Sequence, residues 1–396
     1  MLLTGGRAPC TLELARAFHA GGHRVLVAES ARRHLCRVSR AVEQSFVVPP
    51  PNGDAAAFLA ELEAIVVREG VELLIPTCEE IFFVSKGLEQ LKQHCTVWSA
   101  SIGELDGLHN KWRFVQLALE LGLQVPETIL VTHREEWLAL AEGQRLEESL
   151  VLKPAYSRFA SKVLFLDKSA SADRRRQVLA QALPALSPES PWVAQRRIEG
   201  RHLATYSIAY NGHLLVHGAY PCHYRLGQGA TVYFEPVRHD RSKEWVRQLV
   251  QATGFTGQIA FDFIEEDNGG LYALECNPRA TSGIHLFKGN AGLVEAFLQP
   301  EALLHAGRVV EPGDSPRTML TVPMLAAGLS GIRSFPQLGD WLRAVRDGRD
   351  AVFHRRDMAP GLEQLRVLLD AWRTAWSRGI SLTEATTIDL EWNGEP

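Results

Sequence analysis

The stretch Gly270-Leu-Tyr-Ala-Leu-Glu-Cys-Asn-Pro-Arg279, with Ala260-Phe-Asp-Phe263 upstream of it, carries most of what this chain says about its architecture. The two segments read as adjacent strands, Gln258 to Ile264 and Leu271 to Cys276, joined by the acidic turn Glu265-Glu-Asp-Asn-Gly-Gly270. Side chains alternate along a strand, so Glu275 and Asn277 share one face while Cys276 between them points to the core. Asp262, thirteen residues before Glu275, stands among apolar neighbours on the first strand. Polar groups that interrupt apolar strands in this way call for a reason; the alternative is a hairpin whose carboxylates merely face solvent.

Two carboxylates and an amide form a hard oxygen set. Magnesium is usually held by one or two carboxylates together with substrate phosphates, so Asp262, Glu275 and Asn277 are the candidate metal ligands, with Mn2+ a second ion that such oxygens accept. Arg279 adds a cation two residues on.

Working outward, 396 residues of which 46% are hydrophobic suffice for two or three domains. Neither a signal peptide nor a transmembrane span is legible, so the reading is a soluble, cytoplasmic protein without a membrane partner. Net charge is −4, from 42 basic and 46 acidic residues, which excludes a global basic field for nucleic acid. The six cysteines form no C-x-x-C pair and read as small buried hydrophobes.

The chain begins as alternating strand and helix. Met1 to Thr4 is a strand, Gly5 to Pro9 a tight loop, Thr11 to Ala20 a helix ending at Gly21-Gly22, and His23 to Ala28 a strand. A helix from Asp54 to Gly70, a strand from Val71 to Ile75 and the loop Thr77-Cys-Glu-Glu80 follow. This order predicts a parallel sheet with ligands at the carboxyl ends of its strands, where Arg7, Glu79 and Glu80 become candidate substrate contacts. The two glutamates equally suit a helix N-terminus.

The middle of the chain changes character. Lys111 opens a helix running to Leu121, where the dipole prefers acids, a hint that an anion lies there. Leu150 to Pro154 is a strand with Lys153 near its end. The loop after it holds Ser157 and Ser161, suited to phosphate oxygens if the loop folds down, and leads into a strand from Val163. Trp192 to Gly200 reads as a strand, and Tyr206 to Asn211 with His213 to Ala219 as a hairpin; antiparallel hairpins mark a change of domain. From Gly331 the chain reads as two helices, Phe335 to Arg346 and Leu362 to Ser377, with a short final segment.

In order and spacing, Lys111, Lys153-Pro154, Gln195 to Gly200, Asp262 and Glu275-Cys-Asn-Pro-Arg279 resemble the ATP-grasp superfamily, and most closely its carboxylate-amine ligases. The resemblance covers roughly residues 1 to 325. It implies a mixed α/β and α+β fold: a Rossmann-like pre-ATP-grasp domain (1–106), two ATP-grasp α+β subdomains (107–200, with the phosphate-loop lid, and 201–330, with the metal site), and a small helical C-terminal extension (331–396). It further implies ATP and Mg2+ as cofactors. Lys111 and Lys153 would contact ATP phosphates, the segment Gln195, Arg196, Arg197 and Ile198 the adenine edge, and Arg279 the transferring phosphoryl group. The loop after Tyr156 departs from the family in lacking glycines, and His202 stands where an acidic residue often meets the ribose.

The implied reaction phosphorylates a small carboxylate, an amino acid or natural-product acid, to an acyl phosphate and couples it to an amine, releasing ADP and phosphate. Arg225, on the loop after the hairpin, is a candidate clamp for the carboxylate. A different acceptor, either a thiol or carboxyphosphate chemistry, and a silent ATP-binding regulatory protein are the alternatives. A homodimer is implied by analogy alone.

Overall fold

The computed structural model describes residues 1–142, 148–156, 163–181, 183–226 and 229–394. These divide into two compact units. The larger comprises Met1–Leu105, Ala204–Ala260 and Asn277–Trp392, and the smaller Asp106–Leu203, Phe261–Cys276 and Asn393–Pro396.

The larger unit begins with a parallel sheet. Strands β1 (Leu2–Thr4), β2 (Leu26–Glu29), β3 (Gln44–Val47), β4 (Leu73–Ile75) and β5 (Thr96–Val97) lie in the order β3-β2-β1-β4-β5. Leu2 registers against both Leu26 and Leu74. β1, β2 and β4 are buried throughout, as expected of a sheet covered by crossover helices. Those helices have clear local causes. Asp54 accepts the Ala57 N–H at 2.9 Å to start Ala55–Glu69, and Gly70 at φ +60° ends it. The loops expected to carry ligands leave the adjacent strands β1 and β4, and Thr77 ties them together. Its hydroxyl donates to the Thr4 carbonyl at 2.7 Å and lies 2.6 Å from the Thr11 hydroxyl.

In the smaller unit, β6 (Thr128–Val131), β7 (Leu150–Pro154), β8 (Leu164–Leu166) and β9 (Trp192–Arg196) form an antiparallel sheet in the order β6-β9-β7-β8. Trp137 fills its core edge-to-face with Trp192, centroids 5.5 Å apart, and its indole N–H reaches the Leu179 carbonyl at 2.9 Å.

β10 (Arg201–Tyr210) and β11 (His213–Pro221) turn on Asn211 and Gly212, both at positive φ (48° and 77°), the geometry a two-residue hairpin requires. They join β13 (Gly257–Glu265) and β14 (Leu271–Asn277) in the order β11-β10-β13-β14, β12 being Tyr233–Phe234. Gly200, just before β10, is a glycine of necessity, because a Cβ there would lie 2.1 Å from the Glu265 carbonyl oxygen.

The structure departs from the sequence reading in the tail. Besides the helices Phe335–Asp347 and Ala359–Arg378, residues Arg349–Asp350 form β16 beside β15 (Thr318–Met319), completing the sheet β12-β15-β16. Two residues carry no periodicity, so this strand is set by pairing with its neighbour alone. Asp357 ties the tail to the N-terminal region of the larger unit, accepting from Arg16 Nη2 at 2.9 Å, the Ser39 hydroxyl at 2.7 Å and the Arg40 N–H at 3.0 Å.

Candidate active site

The smaller unit gathers two lysines and two carboxylates. Asn110 caps the helix Lys111–Glu120 by accepting the N–H groups of Trp112 and Arg113, which places Lys111 in the first turn, and the Lys111 N–H donates to the Ala155 carbonyl at 3.0 Å. The Lys111 ammonium, 4% exposed, stands 3.7 Å from Glu275 Oε2. Lys153, at the end of β7, donates from Nζ to the Leu274 carbonyl at 3.2 Å. Burial pulls its pKa down from 10.5 to about 8; Glu275 and Asp262 oppose the shift and Lys111 adds to it. Lys153 is therefore a buried ammonium within electrostatic reach of both carboxylates, held where its charge is poorly solvated.

Asp262 lies half-buried on β13 between buried Phe261 and Phe263, and Glu275 and Asn277 are half-buried on β14 on either side of buried Cys276. This is the alternation read from the sequence. Among the described residues no three His, Cys, Asp or Glu side chains cluster around one point. Asp262 and Glu275 supply the hard-oxygen donor type that Mg2+ takes alongside phosphate oxygens, so these two residues fit that ion.

The strand end beside β7 presents the next group. Gln195 is buried, its amide donating to the Thr128 hydroxyl at 3.1 Å. The N–H groups of Arg196 and Arg197 donate to the carbonyls of Glu127 and Ser149, each at 2.8 Å. The Arg196 guanidinium lies 3.5 Å from Glu148 and 3.8 Å from Glu266 and covers the Tyr272 ring at 5.2 Å. Ile198 is buried and His202 half-buried. Ser157 and Ser161 lie outside the described residues.

In the larger unit, Arg279 donates from Nη2 to the Asn277 side-chain oxygen at 3.1 Å and from Nη1 to the Ala280 carbonyl at 3.2 Å, and Nη2 is 3.7 Å from Glu79 Oε1. The other Glu79 oxygen accepts the Trp392 backbone N–H at 3.0 Å. The Trp392 ring stacks on Phe82 at 5.6 Å, meets Phe83 edge-on, and has the Lys86 ammonium over it at 4.7 Å. Glu80 is buried against Gly5, where a Cβ would come within 3.1 Å of its Oε1, and Oε2 has no hydrogen-bond partner among the described residues. Burial, then the neighbouring Cys78 and Glu29, raise its pKa well above the usual carboxylate range.

Arg7 is fully engaged. It pairs with buried Glu29 at 2.5 Å and, through two nitrogens, with both oxygens of Asp389 at 2.7 Å, and also reaches the Ser30 hydroxyl and the Thr386 carbonyl. Arg225 Nε donates to the Cys222 carbonyl at 3.2 Å. Sequence reasoning did not assign Asp389 or Trp392 to this region. Each stands more than 300 positions from the residue it holds, and the only local signal was an aromatic and an acid in an otherwise unassigned tail.

Against known proteins, residues 108–283 match the ATP-grasp domain family. No curated protein matches the sequence. Among solved structures, the ADP complex of N5-carboxyaminoimidazole synthetase from Staphylococcus aureus aligns with a TM-score of 0.57 at 14% identity, over 75% of this chain and 76% of that one. The L-amino acid ligase from Bacillus licheniformis gives 0.56 at 16% identity, over 75% and 74%. The biotin carboxylase domain of the Hydrogenobacter thermophilus 2-oxoglutarate carboxylase, solved with MgADP, ADP and bicarbonate, gives 0.58 at 14%, over 78% and 70%. At these identities the likeness is one of fold. What the match shows is an ATP-grasp domain over residues 108–283, within a chain whose overall fold is similar to those structures.

Proposed function

We propose that the protein is an ATP-dependent, ADP-forming ligase that phosphorylates a small carboxylate, an amino acid or natural-product acid, and joins the acyl group to an amine. The observation that carries this reading is Lys153: a buried ammonium, its pKa lowered to about 8, that senses Glu275 and Asp262 inside an ATP-grasp domain. A cation kept in so costly a place is suited to polyanionic phosphate.

A carboxylate resists attack because its carbon lies beside delocalised negative charge. Transfer of the γ-phosphoryl group forms a bond from a carboxylate oxygen to phosphorus and breaks the bond to the ADP oxygen. The amine then attacks the acyl carbon, phosphate leaves and the amine gives up a proton. The protein's task is to bring two anions together. In this reading Lys111 and Lys153 hold the ATP phosphates, Arg279 faces the transferring phosphoryl group, and Gln195, Arg196, Ile198 and His202 border the adenosine. The Arg196 and Arg197 N–H groups are already bonded to the Glu127 and Ser149 carbonyls, so the proposed N–H donor to the adenine edge is that of Ile198. Asp262 and Glu275, with Asn277 two residues beyond on the same strand, would hold Mg2+, which when bound neutralises charge on the β- and γ-phosphate oxygens. Glu79, Glu80, Arg7 and Arg225 are the proposed substrate-side residues, and Ser157 and Ser161 are proposed hydrogen-bond donors to phosphate oxygens. The proposed domain limits remain 1–106, 107–200, 201–330 and 331–396.

Hydroxylamine serves as a general amine in the test. Purified protein with MgATP and a panel of acids should give a hydroxamate with one acid class, in step with ADP release; ADP without hydroxamate from any acid would overturn the amide-forming step. A second reading takes bicarbonate as the acid, favoured by the bicarbonate in the Hydrogenobacter complex. ATP turnover dependent on bicarbonate alone would select it.

A further inference from the structure

The helix Ala359–Arg378 is the longest of the described elements, and its outward face is apolar. Leu362, Leu365, Leu369, Trp372 and Trp376 follow one another at spacings of three, four, three and four, and are 70%, 59%, 44%, 52% and 78% exposed. At 100° per residue they form one stripe roughly 80° wide. The opposite face, with Pro360, Glu363, Ala371 and Ala375, is the one buried in the larger unit. The tryptophans lie against each other, centroids 5.6 Å apart.

We propose that this stripe is an interface with a second copy of the chain, the two helices pairing antiparallel about a two-fold axis near Leu369. Alternating spacings of three and four are those of a helix seam that receives a like seam. About Leu369 the stripe lies at −7, −4, +3 and +7, so an antiparallel two-fold sets Leu362 opposite Trp376 of the other copy and Leu365 within one residue of Trp372, and large side chains meet smaller ones. The five residues together expose on the order of 600 Å², at the top of the ~300–600 Å² range of patches on monomers and approaching the ~800 Å² per partner of a stable interface. The charges beside the stripe are already matched: Asp370 lies 3.4 Å from Arg33 and 3.5 Å from Arg373, and Arg366 lies 3.0 Å from Glu363. Such a rim suits a second copy of the chain; an anionic lipid surface would favour unpaired cations.

Sedimentation velocity of the full chain, from ~1 to ~100 μM, tests this. Wild type should be a dimer, and Leu365→Glu with Leu369→Glu should raise the dissociation constant at least ~100-fold while the far-UV circular dichroism stays that of wild type, since both side chains are exposed in the single chain. A wild type monomeric at the highest concentration, or a double variant that dimerises as wild type does, overturns the proposal. So does a monomeric wild type that co-sediments with vesicles of phosphatidylglycerol and phosphatidylcholine and loses that binding in the double variant. Trp376→Arg, at the end of the stripe, should weaken the dimer independently.

Discussion

Lys153 concentrates the electrostatics of the proposed chemistry in one side chain. Its folded pKa of about 8 lies below the ordinary 10.5, so between those values the folded state releases a proton that the unfolded state keeps, and this group's contribution to apo stability rises with pH across that window. For function the sign is opposite, because the ammonium is the form that meets phosphate. We expect kcat/KM for ATP to fall as pH rises through about 8 in the wild type, and the fall to disappear in Lys153→Arg, whose guanidinium stays charged. A wild-type profile flat to pH 9 would remove Lys153 from the nucleotide site. Glu275→Gln keeps the shape and removes a charge that Lys111 and Lys153 both feel; turnover should drop by ~10²-fold or more with the fold intact, measured by steady-state kinetics beside circular dichroism. These two residues were legible in the sequence because charge inside an apolar strand is costly and stands out. Arg7 and Glu80 were read only as polar groups at strand ends. Their actual condition, one saturated by Glu29 and Asp389 and the other a buried carboxyl with a raised pKa, depends on contacts that local sequence does not encode.

At the scale of elements, the final segment matters more than its sequence suggested. Leu390 and Trp392 are buried, and Trp392 holds Glu79, which in turn lies near Arg279. Trp392→Ala should destabilise the protein by about 3 kcal/mol, the usual cost of removing a buried aromatic, read from the shift in denaturant midpoint; Trp392→Phe should recover most of it. A loss below ~1 kcal/mol would mean that the segment only rests on the surface. Strands β1, β2 and β4, their parallel order and the two long tail helices follow from periodicity and caps and were legible in the sequence, whereas β3 and the two-residue β5 were not. β16 was not legible, because a two-residue strand exists only through its partner β15. β9 stops at Arg196, four residues short of the glycine read as its end, and Gly200 instead serves the close approach to Glu265.

For the whole molecule, the order of motifs along the chain carried the resemblance, and the domain match over residues 108–283 takes in the lysine-bearing helix, the Lys-Pro strand and the Glu-x-Asn-x-Arg strand. The division into two compact units, whose limits at 203/204 and 260/261 fall inside β10 and β13, is a tertiary fact that no composition shift announces. No helix among the described residues is long and apolar enough to cross a membrane. The central claim concerns what happens to ATP. Phosphorus NMR of the protein with MgATP, a pool of amino acids and hydroxylamine follows it directly: the account predicts ADP and inorganic phosphate growing together, dependent on an added acid, whereas AMP with pyrophosphate would show adenylation and contradict it.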